Sequence, residues 1–199
     1  MIFDGTLIPL WIKLGYTLLV GVTVAVYAFK YPLANFLWFS DIALLGTVPA
    51  LWLESSLLAS TMAVGVLLPE VLWNLGYWVQ LVTGKRISGL TDYMFDSDQP
   101  LYLRALSLFH VFLPILLLWL VLELGYDTRA WMAQTVLAWI VLPLTYGLTA
   151  PRLNVNWAFG WGNRPQQRMA PLLYLGLLMV IFPVLVYLPT HLLLRWLLN

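Results

Sequence analysis

Leu101–Leu124 reads LYLRALSLFHVFLPILLLWLVLEL, and five other stretches of this chain are as long and nearly as apolar. About 20 such residues, rising roughly 1.5 Å each in a helix, cross the hydrocarbon core of a bilayer. The predicted spans are Leu7–Phe29, Leu33–Leu53, Leu57–Val82, Leu101–Leu124, Arg129–Thr149 and Pro171–Leu198. In lipid every backbone polar group has to be satisfied within the chain, and runs this long and uniform suit helices rather than barrel strands. The expectation is an all-α, polytopic bundle of six transmembrane helices, one integral membrane domain over residues 1–199. A composition that is 62% hydrophobic and 10% charged excludes a soluble domain of this size. The first run is too long for a secretory h-region and lacks a small-residue cleavage site, so it reads as a retained helix.

The links YPL, ESS and GYDT are very short and make neighbouring helices antiparallel, whereas Thr83–Pro100 and Ala150–Ala170 are long enough to carry structure. Lys30, Lys85, Arg86, Arg104, Arg152, Arg164 and Arg168 lie on the side of the long links, against Lys13, Arg129 and Arg195 on the other. Positive charge stays on the cytoplasmic side, so the long links are expected inside and both termini outside, in a membrane of the bacterial inner type. A net charge of +1 offers nothing to a nucleic acid. With no cysteine and two histidines, no cofactor or metal-ligand set is read. Asp92, Asp96 and Asp98 in TDYMFDSDQ do not follow the spacing of a calcium loop and read as a solvated acidic segment.

The residues out of keeping with lipid fall at one depth. Ser40 and Asp41 come about two turns into the second span, and Glu70 and Asn74 two to three turns before the third one exits. Arg104 stands near the interface of the fourth span, with Ser107 and His110 about two turns further on. Asn154 and Asn156 follow the fifth span at the same rim, in NVNWAFGWG. Ionisable residues inside a membrane usually mark a partner, a pathway or a site. Glu70, Asn74 and Tyr77 share one helix face by their i, i+4, i+7 spacing, and Ser107 and His110 diverge by only about 60°. Pro114, one turn after His110, deprives the His110 carbonyl of its helical donor. Ser40 and Asp41 diverge by about 100°, so they cannot aim at the same atom.

Serine, histidine and carboxylate in one place suggest nucleophilic acyl chemistry. His110 would take the Ser40 proton, Glu70 or Asp41 would fix the imidazole tautomer, and amides such as Asn74 or Asn156 would steady an oxyanion. Arg104, Ser107 and Asn154 complete the candidate substrate-binding set. Each residue also has a structural reading. Ser40 would bond back to the Phe36 carbonyl, His110 would join two helices, Glu70 would pair with Arg104, and Asp41 would be protonated and hydrogen-bonded.

FSDIALL in the second span, LFHVFLP in the fourth and NVNWAFG after the fifth resemble, in that order, landmarks of a family of small six-helix membrane proteins. The family includes bacterial proteins of unknown role and a eukaryotic glycerophospholipid acyltransferase, with the androgen-induced fatty-acid-ester hydrolases as more distant relatives. The resemblance covers helix order and these three short motifs. It implies an intramembrane nucleophile on an early helix and a histidine on a later one, here Ser40 and His110. Ser40 stands where the acyltransferase branch has cysteine. The expected function is a lipid hydrolase or acyltransferase acting on an acyl ester, with a membrane lipid as substrate. Two other classes stay open: a small carrier or proton-coupled permease using Asp41 and Glu70, and a non-catalytic subunit or lipid-binding scaffold.

Overall fold

A computed structural model describes residues 7–87, 89–162 and 165–198, which are helical with no strand among them. Arg164, counted above with the long links, lies outside the described residues. Helix α1 runs Leu10–Lys30, α2 Phe39–Trp52, α3 Ser56–Thr83, α4 Leu101–Leu106, α5 Phe109–Leu124, α6 Ala130–Leu148, α7 Pro171–Ile181 and α8 Leu188–Leu198. Helices α4 and α5 form one span with a tight turn at Ser107 and Leu108, and α7 and α8 form another through a π-helical turn at Phe182–Tyr187. Five helical stretches are thus long and apolar enough to cross a membrane, consistent with an integral membrane protein.

The expected second span is the one that changes. Leu33–Leu37 is a 3-10 turn, Trp38 is extended (φ −59°, ψ 136°), and α2 has only 14 residues. Such a helix covers about 21 Å, short of the roughly 30 Å hydrocarbon core. Its C-terminal end returns to the start of α1, where Glu54 meets Lys13. The helix alone is therefore too short to cross that layer, and non-helical backbone precedes it at Leu33–Trp38.

Helix α3 is the centre of the bundle and packs on α2, α5 and α6. Residues 59 to 66, ASTMAVGV, are buried all round, and their small side chains let the neighbouring backbones approach. A Cβ on Gly65 would stand 2.6 Å from Nε2 of Gln134, so a larger residue there requires the Gln134 side chain on α6 to move. Proline-freed carbonyls find side-chain donors on adjacent helices. Pro183 cannot donate to Met179, whose carbonyl takes Nε1 of Trp139 at 2.8 Å instead.

Glu54 closes the hairpin of α1 and α2. Lys13 Nζ donates to its Oε1 at 2.8 Å, and the backbone N–H groups of Leu7 and Ile8 donate at 3.0 Å. These contacts, Lys13 first, hold the Glu54 carboxyl down to about 2. A folded value below the ordinary one means the stabilisation is complete above about pH 4.5 and is lost as pH falls toward 2. Glu54→Gln should cost about 1 kcal/mol at pH 7 and almost nothing near pH 2. Unfolding midpoints of the two proteins in detergent, compared across that range, check both the size and the sign.

Candidate functional site

The break before α2 explains an aspartate in an apolar run. Asp41 sits in the first turn of a helix, where the unpaired N–H groups and the helix dipole favour a carboxylate. The loop after α6 holds that end in place. Asn156, 2% exposed and left-handed at φ 51°, accepts from the Phe39 N–H at 3.0 Å and donates to the Leu37 carbonyl at 2.7 Å. One amide therefore satisfies backbone on both sides of the Trp38 break. Asn154, also left-handed, braces the same loop by donating to the carbonyls of Gly160 and Gly162 at 2.7 Å each and accepting from Phe159 N–H. Trp157 stacks on Trp161 and meets Trp38 edge to face, so the loop folds into a buried knot rather than a plain connection.

Across from α2, α3 and α5 bring Glu70 and His110 together. His110 Nδ1 lies 2.9 Å and 2.8 Å from the two oxygens of Glu70. The imidazole is clamped between Trp73 (centroids 4.6 Å apart) and Phe109 (4.1 Å). The carbonyl that Pro114 frees on His110 is taken by Asn74 Nδ2 at 2.6 Å, and the same nitrogen donates to the Glu70 carbonyl at 2.8 Å. Asn74 thus ties the backbones of the two residues that form the pair. His110 Nε2 has no hydrogen-bond partner among the described residues and is not sealed off.

These groups open on one cavity of about 540 Å³, on the side of the bundle that carries the long links. Ser40, Asp41, Glu70, Ser107, His110, Asn154 and Asn156 all line it; Asn74 and Arg104 do not. Arg104 donates to the Met94 carbonyl at 3.3 Å and makes no ion pair with Glu70. Ser107 hydrogen-bonds the Tyr27 hydroxyl at 3.0 Å and donates to Leu103 O at 3.1 Å. Ser40 does not bond back to Phe36; its hydroxyl has no partner among the described residues and keeps accessible surface. Neither a family model nor a curated protein nor a solved structure matches the chain.

Several sequence expectations are corrected by these contacts. Ser40 and His110 share the cavity without a hydrogen bond between them, and Glu70 holds Nδ1, leaving Nε2 as the ring nitrogen available to a hydroxyl. Catalytic hydrogen bonds of this kind commonly close only around substrate. The carboxylate on the imidazole is Glu70, and Asp41 stands apart from it. Asn74 and Asn154 spend both amide protons on carbonyls, and Asn156 spends its bonds on the α2 terminus, so none of the three is a free oxyanion donor. Other N–H and O–H groups at the cavity come from residues that spacing did not single out. Trp73 Nε1 is buried beside the His110 ring, near the Tyr93 hydroxyl, with no partner within hydrogen-bond geometry among the described residues. Tyr93, carried by the Gly89–Met94 turn of the first long link, reaches into the cavity. Burial pushes its phenol above the ordinary value, so it remains a neutral donor at pH 7. Nothing in TDYMFDSDQ distinguishes that tyrosine from a solvated one.

The chemistry follows from the pair. A carboxylate on Nδ1 selects the tautomer that leaves Nε2 as an acceptor, and the aromatic clamp keeps the ring from turning. A hydroxyl, an acceptor nitrogen and neutral N–H and O–H groups around a cavity of about 540 Å³ are residue types that acyl transfer uses.

Proposed function

We propose that this cavity is the active site of a membrane-embedded hydrolase or acyltransferase acting on a lipid acyl ester. The observation that carries the reading is the Glu70–His110 pair, with Nε2 open to the cavity that Ser40 shares. In the proposed step Ser40 Oγ attacks the ester carbonyl while its proton passes to His110 Nε2. The ester C–O bond then breaks, the leaving alcohol takes that proton, and an acyl-Ser40 remains. Water or a second lipid hydroxyl, deprotonated by the same nitrogen, releases the acyl group, giving hydrolysis or transfer. Glu70 holds the tautomer, and Trp73 Nε1 and Tyr93 are the donors for the oxyanion. A serine in place of the cysteine of the resembling acyltransferases needs a stronger base, which the Glu70–His110 pair supplies. The orientation proposed with it keeps the long links, and the cavity, on the cytoplasmic side.

A fluorophosphonate or lactone probe applied to the protein in nanodiscs should label Ser40. Labelling should vanish in Ser40→Ala and fall about 100-fold or more in His110→Ala. Labelling that ignores both substitutions, or none across several probe classes, overturns the reading. Substrate flux into proteoliposomes that needs Asp41 and Glu70 but survives Ser40→Ala would make the cavity a transport path instead.

A further inference from the structure

One buried carboxyl group has no task in the catalytic step. Glu70 faces His110, but Asp41, 5% exposed, has only a 3.5 Å contact between its Oδ1 and the neutral Asn35 amide. Among the described residues no cationic side chain pairs with it. Its Oδ2 has no hydrogen-bond partner among the described residues and still keeps accessible surface, and Asp41 lines the cavity. A carboxylate withdrawn from water without a counter-charge is costly by several kcal/mol, and a helix N-terminus offsets only a part.

The walls at that end of the cavity are aromatic. Tyr27 and Tyr31 stand edge to face at 5.1 Å, and Trp38 meets Trp157 edge to face at 6.1 Å. All four line the cavity with Asp41. Arg152, exposed and without an ion pair among the described residues, lines it too. A buried carboxylate beside tyrosine and tryptophan rings is the chemistry that recognises an ammonium group, and an unpaired guanidinium suits a phosphate.

We infer that the Asp41 corner is an ammonium-binding subsite, which Tyr27, Tyr31 and Trp38 line and which Arg152 extends for a headgroup phosphate. As a choice of substrate this rests on the acyl-ester reading and narrows it to lipids with an ammonium-bearing zwitterionic headgroup. As a binding site it stands apart from catalysis. The ammonium could arrive on a lipid or on a free amine, and Asp41 meets its positive charge in both cases.

The test uses the full chain in maltoside micelles, in the Ser40→Ala background so that no turnover intrudes. Quenching of tryptophan fluorescence is titrated with dihexanoylphosphatidylcholine, with dihexanoylphosphatidylglycerol and with tetramethylammonium chloride against sodium chloride. The choline lipid should bind about tenfold more tightly than the glycerol lipid, a ratio that Asp41→Asn removes and Asp41→Glu partly restores. Tyr31→Leu, which leaves every charge in place, should lower the ratio about threefold. Saturable tetramethylammonium binding that depends on Asp41, with no preference between the lipids, supports the subsite and assigns it to a free amine. Equal binding of both lipids with no tetramethylammonium effect, or a preference unchanged in Asp41→Asn, overturns it and leaves Asp41 a protonated group. Failure of the probes to label Ser40 in the wild-type protein, with this preference intact, would sink the catalytic reading alone.

Discussion

Glu70→Gln is expected to lower acyl-ester turnover by about 10³–10⁴-fold while the protein stays folded. Glu70 accepts from His110 Nδ1 at 2.8 Å, and that bond keeps the proton on Nδ1 and the lone pair on Nε2. A glutamine of the same shape can turn its NH₂ toward the ring, which moves the proton to Nε2 and leaves no base for Ser40. It also removes the charge that stabilises the imidazolium formed during attack. Asn74 holds the Glu70 and His110 backbones through their carbonyls, so the ring remains where it is. The loss should therefore appear in kcat more than in KM, read with a fluorogenic acyl ester in nanodiscs. Glu70→Asp should recover part of it. Turnover within threefold of wild type in Glu70→Gln would remove the pair from the mechanism.

The second large effect is structural. Asn156→Leu should destabilise the protein by about 2–5 kcal/mol and abolish turnover, although Asn156 touches no reacting atom in the proposed step. Leucine is close in volume but leaves the Phe39 N–H and the Leu37 carbonyl without partners, each worth about 1–3 kcal/mol when buried. It also forces a branched apolar side chain into a left-handed backbone (φ 51°) that asparagine tolerates better. The start of α2 would lose its anchor, and Ser40 and Asp41 with it. Asn156→Asp keeps the acceptor for Phe39 and loses the donor to Leu37, so it should fall between the two. Denaturation in mixed micelles measures the first effect and ester hydrolysis the second. A wild-type unfolding midpoint in Asn156→Leu would show that the α2 terminus is held by something else.

Both predictions turn on pairings that the chain order shows only in part. Pro114 announces a freed carbonyl on His110 from spacing alone, because proline lacks a donor wherever it sits. That the donor filling it is Asn74, 36 residues earlier, depends on how α3 lies against α5. Ser40, Asp41, Glu70, Ser107 and His110 were recognisable as one level of polar residues, since helical rise converts sequence position into depth. Depth says nothing about azimuth. Arg104 and Asn74 share the level yet face away from the cavity, and Tyr93 enters it from a link whose letters read as solvated.

Sequence alone determined the long apolar helices, because length, hydropathy and the need to satisfy every backbone group in lipid are local properties. It determined, too, that polar chemistry gathers toward the long links. Tertiary structure decided that the expected second span is broken before a short helix, since a remote asparagine caps the break at Trp38. It also decided that Glu70 rather than Asp41 holds His110. Those outcomes rest on contacts between segments up to 119 residues apart, and they depend on how the helices pack around α3.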